Sequence, residues 1–339
     1  METHRASEER RVSGMSILGT GRSVPHRAIA SSEFDELHGF PTGYVQSVTG
    51  VRTRHVCDGE NQIDLACDAA RKALEAAGLR PQDLDMIISA SAVAYQPIPG
   101  TAPAIQRALG IADGGCFSTD INSTCLSFPV ALHFASSLLQ AGTYRTILIV
   151  SSDIASRALP WKTQPAVAGL FGDGAGAAIV RADVHAGILA AHFTTLPSGY
   201  NACQIGAGGT RFDFQREPEQ FAAHSLFSMD GKELFRLTAR DFGSFVDTLL
   251  AAANTRRDEI VRVIAHQASP GALAHITRIC EFESQQVIDI SAQFGNQIAA
   301  SIPFVLDYAL EQGLVHQGDR IMMLGTSAGV SFGGLVMDL

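Results

Sequence analysis

Cys125 is the residue whose position in the sequence most favours covalent chemistry. It follows a short polar turn and opens an apolar segment, CLSFPVALHFASSLLQAG, within a helix predicted over 124–141. A thiol at a helix N-terminus lies beside unpaired backbone N–H groups, which favour the thiolate and can hold a developing oxyanion. Cysteine is also a strong nucleophile toward thioesters. The sequence therefore makes Cys125 a candidate nucleophile, with simple core packing as the alternative.

Two further polar residues stand at predicted strand-to-helix junctions. His266 lies near the end of an apolar strand, before a helix that opens at Pro270, and Asn296 follows Gly295 just before another helix. Functional groups of α/β proteins gather where strands end. Taken singly, His266 is typical of a histidine held by backbone partners, and Asn296 of a helix N-cap. Taken together with Cys125, they predict one site on a common face.

An alternating pattern of strands and helices would position these residues. Strands are predicted at 15–20, 84–91, 116–121, 146–152, 261–267, 287–290, 320–326 and 331–339. Helices are predicted at 63–78, 101–109, 124–141, 231–253 and 297–312. Two successive βαβα runs indicate an α/β protein of two duplicated halves, 15–183 and 184–339, with largely parallel sheets, after a flexible extension of residues 1–14.

Composition and charge exclude several classes of function. The formal net charge of −9 lacks the basic footprint of a nucleic-acid-binding protein and disfavours docking on anionic lipid. The sequence contains no apolar run of the ~20 residues that a membrane helix needs. The six cysteines are widely spaced without a C-x-x-C pair, which predicts reduced thiols in a cytoplasmic protein rather than disulfides or a metal site.

A set of motifs in a fixed order resembles the thiolase-like condensing enzymes, and among them the 3-oxoacyl-[acyl-carrier-protein] synthase III family. The motifs are TGVRTRH (49–55), the Cys125 segment, FGDGAGAAIV (171–180), HQA (266–268), GNQIAASIP (295–303) and a glycine-containing loop at 325–334. The resemblance implies a thiolase-like αβαβα layered fold and a homodimer. It also implies that no metal or organic cofactor is required.

The resemblance further implies a reaction in two stages. Cys125 would take the acyl group of an acyl-CoA, with the backbone N–H groups of Cys125 and Ala328 as the oxyanion hole. Malonyl-ACP or malonyl-CoA would then lose carbon dioxide, and the resulting enolate would attack the acyl-cysteine. His266 Nε2 and the Asn296 amide would donate hydrogen bonds to the enolate oxygen.

The resemblance also matches positions that would contact substrate, and most of them depart from the family pattern. At the coenzyme A and carrier-protein surfaces the departures are Tyr44, Val48, Ser269 and Gly271, while Arg236 replaces a lysine and Arg278 retains a docking charge; at the acyl pocket they are Ile98 and Thr326. Loss of charge at Val48 and Gly271 weakens the case for an acidic carrier protein as the partner. Smaller side chains at Ile98 and Thr326 predict an acyl pocket different from one built for acetyl groups.

Other functions fit the residues less well. Acyl transfer to a hydroxyl or amine, with His266 as general base, is the main alternative, although the intact Asn296 favours condensation. A non-decarboxylative condensation would need a glutamate near the pocket, and the segment 92–100 has no acidic residue. A non-catalytic partner subunit would lack the nucleophile. A cysteine hydrolase would leave Asn296 and the duplicated architecture unexplained.

Overall fold

The computed structural model describes residues 13–339. The strands are β1 (Ser13–Ser23), β2 (Ala28–Ala30), β3 (Thr53–His55), β4 (Met86–Ser89), β5 (Phe117–Asp120), β6 (Thr146–Asp153), β7 (Gly174–Thr195), β8 (Cys203–Gln204), β9 (Ser228–Met229), β10 (Arg262–Ala265), β11 (Arg320–Ser327) and β12 (Ser331–Asp338). The helices are α1 (Ser31–His38), α2 (Tyr44–Thr49), α3 (Gln62–Ala76), α4 (Thr101–Ala108), α5 (Ser127–Gln140), α6 (Pro165–Ala168), α7 (Pro218–Ala223), α8 (Gly231–Ala252), α9 (Pro270–Ile279), α10 (Ser291–Phe294) and α11 (Ser301–Glu311).

One long strand, β7, joins the two halves of the molecule. Its residues 174–181 pair with β6, and its residues 187–195 pair with β12, so that the strand order runs β10-β11-β12-β7-β6-β4-β5, with β1 also on β7. The predicted boundary between residues 183 and 184 therefore falls inside a strand. Pairing is parallel within β5-β4-β6 and between β10 and β11, but every pairing of β7 is antiparallel. The sheet is thus mixed rather than largely parallel.

Three layers of helices confirm the predicted αβαβα architecture. Residues of α5 and α11 form the central core with strand residues from both halves. On one side, α3 and α4 cover the strands of the first half, and on the other, α8 and α9 cover those of the second half. The apolar composition of α5 follows from this position, because a helix packed between two layers of strands cannot keep a wide polar stripe.

Some local predictions differ from the structure. The segment 287–290 is not a strand, because only Val287 forms an isolated parallel bridge, to Val263. The helix predicted from residue 124 begins at Ser127, after a 3-10 turn over Thr124–Leu126. Residues 1–12 of the predicted extension lie outside the described residues, and Ser13 and Gly14 belong to β1. Within residues 13–339, no helix is long and apolar enough to cross a membrane.

Candidate active site

Cys125 lies in the 3-10 turn that immediately precedes α5. The turn is held from both sides: the Asn122 side chain accepts the N–H of Thr124 at 2.8 Å, and the Ser127 hydroxyl accepts the N–H of Ser123 at 2.9 Å. Thr124 adopts a left-handed backbone conformation, with φ of 47°. Such a conformation is unfavourable for a β-branched residue and is kept only where surrounding contacts impose it. The chain therefore presents Cys125 on a tightly constrained turn.

The end of β11 supplies a second backbone donor to this turn. The N–H groups of Cys125 itself and of Ala328 both point at the Cys125 thiol and act to lower its pKa. Ser327 links the two segments, because its hydroxyl donates to the Ser123 carbonyl at 2.8 Å and also bonds the Thr124 hydroxyl. The residues expected to form an oxyanion hole are thus brought to the same sulfur.

Burial nevertheless keeps the thiol protonated. Desolvation raises the pKa of Cys125 far above its ordinary range, and the neighbouring Cys203 and Asp153 raise it further. The two N–H groups oppose this rise but do not overcome it. The donors at the helix N-terminus therefore act in the expected direction, but loss of water acts more strongly against the thiolate.

His266 follows β10 and is held by both its backbone and its ring. Its N–H donates to the Leu324 carbonyl at 2.8 Å, and its Nδ1 lies 2.7 Å from the Ser301 hydroxyl. Burial lowers the pKa of His266 to about 4, although the Ile298 carbonyl raises it. The ring is therefore neutral at pH 7, and Ser301 occupies the Nδ1 side.

Asn296 is fixed by the glycine-containing segment that leads into β7. Its N–H donates to the Leu170 carbonyl at 2.8 Å, and its carbonyl accepts from Gly172 at 3.1 Å. Its side-chain oxygen accepts the N–H of Ile298 at 2.9 Å, as a capping residue would, while Nδ2 donates to the Ala268 carbonyl at a long 3.3 Å. One Nδ2–H is thus engaged, and the other can serve a substrate oxygen. The FGDG segment is therefore a close-packed support for this residue.

Gly325 on β11 separates the nucleophile turn from the histidine. A Cβ at this position would lie 2.9 Å from His266 Cβ and 3.4 Å from Leu126 Cδ2, the residue after Cys125. Both segments therefore pack against the same glycine. Such close approach is available only where a strand residue has no side chain.

Asp153 is a buried group that the sequence reasoning missed. Its carboxylate accepts the N–H groups of Ala92 at 3.0 Å, Val93 at 3.1 Å and Ala299 at 3.1 Å. Burial raises its pKa to about 7. This carboxylate ties the loop before α4 to the turn that carries Asn296. A lone acid at the end of the otherwise apolar TILIVSS strand was the available signal, since a buried acid needs partners.

Two of the predicted substrate-binding residues on the second half have local partners. The Arg236 guanidinium on α8 forms two hydrogen bonds with Glu233, at 2.8 and 2.6 Å. The Ser269 hydroxyl caps α9 by accepting the N–H of Ala272 at 3.0 Å. Both side chains are therefore engaged within their own elements.

The other predicted substrate-binding residues occupy three different places. Tyr44 opens α2 and is half-buried, with its ring 5.1 Å from that of Phe40. Thr326 is half-buried on β11, opposite Phe332 on β12. Ile98 is 87% exposed on the loop before α4. Its exposure means that this side chain does not line a pocket of its own subunit.

A mainly apolar cavity of about 220 Å³ lies beside the Asn296 turn. Its lining includes Val93, Tyr95, Phe171, Phe227 and Ile298. Pockets for drug-sized ligands measure roughly 300–1,000 Å³, so the size of this one suits an acyl chain rather than a whole thioester. Within residues 13–339, no group of three or more histidine, cysteine or acidic side chains is placed to hold a metal ion.

The comparisons with known proteins agree with this geometry. Residues 119–197 match the model of the 3-oxoacyl-[acyl-carrier-protein] synthase III family, and residues 250–339 match that of its C-terminal domain. The beta-ketoacyl-[acyl-carrier-protein] synthase III of Synechocystis is 30% identical over 96% of this chain and 98% of its own length.

Solved structures of the same family have a similar fold. The 3-oxoacyl-[acyl-carrier-protein] synthase III of Aquifex aeolicus superposes with a TM-score of 0.86 at 27% identity, covering 96% of this chain and 100% of that one. The priming beta-ketosynthase of the R1128 polyketide pathway superposes with a TM-score of 0.87 at 25% identity, covering 97% of each chain.

A layered αβαβα fold, with a candidate cysteine nucleophile on the turn before a central helix, is that of an acyl-transferring enzyme of the thiolase-like condensing class. Within that class, the chain belongs to the 3-oxoacyl-[acyl-carrier-protein] synthase III family.

Proposed function

We propose that the chain moves an acyl group from an acyl-CoA onto Cys125 and condenses it with malonyl-ACP or malonyl-CoA, releasing carbon dioxide and a 3-oxoacyl thioester. The observation that carries this proposal is the convergence of the Cys125 and Ala328 N–H groups on one thiol. Two preorganised donors beside a nucleophile stabilise the oxyanion of a tetrahedral intermediate. An acyl carbonyl attacked by this sulfur would place its oxygen between them.

The second stage uses the other two polar residues. The free Nδ2–H of Asn296 and a proton on His266 Nε2 would donate to the oxygen of the malonyl thioester as it loses carbon dioxide. Enolate formation needs donors on oxygen, and the departing carbon dioxide leaves the carbon nucleophile without a strong base. Both residues are supported by backbone contacts, so little reorganisation is required.

The 220 Å³ cavity is our candidate for the acyl pocket. Its apolar lining favours a hydrocarbon chain, and the Asp153 carboxylate fixes the loop that carries Val93. Tyr44 would stack on the adenine of coenzyme A, as a half-buried aromatic ring can. Ser269 would contribute to substrate binding indirectly, by capping the start of α9. Thr326 would contribute from its place on β11, two residues before Ala328.

The malonyl group would be carried either by a carrier protein or by coenzyme A. The charges on α8 affect how well an acidic carrier protein could bind. Arg236 is neutralised by Glu233. A paired arginine attracts an acidic carrier protein less than a free one does. Malonyl-CoA therefore belongs in the test beside malonyl-ACP.

The protein would act as a homodimer. The strand β5 lies at the end of the sheet order, and its Phe117 is 54% exposed. Ile98, on the loop before α4, is exposed as well. An open strand edge flanked by apolar side chains is a suitable surface for a second copy, whose Ile98 would then reach the acyl pocket of its neighbour.

Every step of this scheme uses a group of the chain itself, so we propose no metal or organic cofactor. Loading after dialysis against a chelator tests this point. The acyl-CoA and malonyl thioesters would be drawn from the cytoplasm.

The central experiment is acyl loading followed by intact mass spectrometry. The wild type, Cys125→Ala and the matched control Cys203→Ala are incubated with a panel of acyl-CoAs, and then with each malonyl donor. We expect a stable acyl mass on the wild type and on Cys203→Ala but not on Cys125→Ala. Discharge by a malonyl donor should give a 3-oxoacyl product.

The other outcomes separate the alternatives. Failure of every acyl-CoA to load the wild type would refute the proposal and favour a non-catalytic partner subunit. Loading without discharge by either malonyl donor would favour transfer to a hydroxyl, an amine or another CoA-bound acceptor. The similarity to a priming ketosynthase of polyketide synthesis favours including acyl-CoAs of specialised pathways in the panel.

A further inference from the structure

Ser301 lies beside the imidazole of His266, on its Nδ1 side. It is the first residue of α11 and is fully buried. Its hydroxyl oxygen lies 2.7 Å from His266 Nδ1 and 2.8 Å from the Ile298 carbonyl oxygen, and the Gln267 N–H reaches it at a long 3.4 Å. A hydroxyl has one proton to give and can accept from two donors.

The direction of these hydrogen bonds follows from the groups involved. The Ile298 carbonyl can only accept, so the single proton of Ser301 is directed to it. The Gln267 N–H can only donate. With the Ser301 proton directed to Ile298, the remaining acceptor site of its oxygen faces Nδ1, and this arrangement favours a proton on Nδ1. In a neutral imidazole, a proton on Nδ1 leaves Nε2 with a free lone pair.

We infer that Ser301 is a positioning residue that holds His266 as the Nδ1–H tautomer, so that Nε2 accepts the Cys125 thiol proton during acyl loading. The inference rests on the proposed function. The opposite tautomer would leave Nε2 protonated and without a site for the thiol proton, while Cys125 is held protonated by its surroundings.

The proton balance of the reaction follows from this arrangement. As the S–C bond to the acyl group forms, the S–H bond of Cys125 breaks and its proton moves to Nε2. Coenzyme A leaves as its thiolate and takes that proton from Nε2, which restores the neutral ring. When the malonyl thioester binds, the negative charge of its carboxylate favours protonation of Nε2 from solvent, and this Nε2–H donates to the enolate oxygen as carbon dioxide leaves. When the enolate carbon displaces Cys125, the expelled thiolate takes the Nε2 proton.

Nitrogen NMR of the wild type tests the tautomer directly. In protein labelled with 15N-histidine, with His266→Gln to assign the resonance, we expect Nδ1 to carry the proton and Nε2 to carry none at pH 7. A proton on Nε2 of the unloaded enzyme would overturn the inference. This measurement needs no acyl-CoA, so it stands even if the wild type fails to load and the proposed function is wrong.

Variants of Ser301 test its contribution to the reaction. In Ser301→Ala we expect the loading rate at saturating acyl-CoA to fall about 10- to 100-fold, with KM changed less than about twofold. General-base assistance contributes roughly 10²–10⁴-fold, and His266 keeps its hydrogen bond to the Ile298 carbonyl in this variant. Ser301→Thr keeps a hydroxyl and should load within about threefold of the wild type.

Ser136→Ala is the matched control for these variants. Ser136 is also fully buried on a helix, and its hydroxyl likewise donates to the carbonyl three residues earlier, that of His133, at 2.7 Å. It should lose comparable stability and load normally. Equal loading rates in Ser301→Ala and Ser136→Ala would overturn the inference. If Ser301→Ala does not fold, the NMR result and Ser301→Thr decide it.

Discussion

The reactivity of Cys125 should rise steadily with pH, because the structure holds no preformed thiolate. Burial raises the pKa of the thiol, and burial also lowers the pKa of His266 to about 4. Each shift disfavours the charged member of a thiolate–imidazolium pair. Both groups are therefore neutral at pH 7, and the thiol must be deprotonated during the attack rather than before it.

The size of the effect can be bounded. A thiol with an ordinary pKa of about 8.5 is roughly 3% ionised at pH 7, and each unit by which the pKa is raised lowers that fraction tenfold. In enzymes with a cysteine–histidine ion pair, the thiol pKa is about 3–4 and the thiolate is complete at pH 7. The two arrangements therefore differ at least about thirtyfold in reactive thiolate.

Alkylation of Cys125 by iodoacetamide measures this difference. The rate is followed by intact mass between pH 6 and pH 9, with Cys125→Ser to subtract modification of the other cysteines. We expect the rate at pH 7 to lie below that of N-acetylcysteine and its logarithm to rise with unit slope over the whole range. A rate that levels off above about pH 6 would refute this reasoning, since it would show a thiolate stabilised by its surroundings.

Three further predictions concern packing, substrate binding and assembly. Gly176→Ala would place a Cβ 2.5 Å from the Phe304 backbone nitrogen. This variant should therefore destabilise the protein by about 1–3 kcal/mol and lower the Tm by several degrees. The control Gly231→Ala has no neighbour nearer than 3.8 Å and should leave the Tm nearly unchanged. Tyr44→Ala should raise the Kd for coenzyme A roughly 5- to 150-fold by calorimetry, since stacking on a base contributes about 1–3 kcal/mol, and an unchanged Kd would exclude stacking by this ring. Phe117→Asp should convert a dimer to a monomer by light scattering, and a variant that remains dimeric would place the interface elsewhere.

The sequence predicted most elements because the signals for them are local. Apolar periodicity and a terminal glycine predicted the helix observed as α3, and Pro270 marked the start of α9. The prediction of a strand at 287–290 was wrong. The apolar residues of this segment suit a strand, but only Val287 is paired. A short apolar run reports burial, and the presence of a pairing partner is a tertiary fact.

Some residues of the site could likewise be predicted from the sequence and others could not. Cys125, His266 and Asn296 could be chosen from the sequence, because each residue type stands at a junction where its chemistry is useful. The roles of Ser301 and Asp153 could not be assigned from the sequence, because they depend on partners far away in the chain, such as the Nδ1 of His266 and the N–H of Ala299. The ionisation of the site was also beyond the sequence.

The sequence by itself therefore determined which groups could react and the order of the elements that carry them. The tertiary structure decided that β7 serves both halves, that Ala328 donates to the Cys125 thiol, and that this thiol and its histidine are both neutral. The reason is physical: residue type and periodicity act over a few neighbours, whereas desolvation and hydrogen-bond direction depend on every atom that the fold packs around a group.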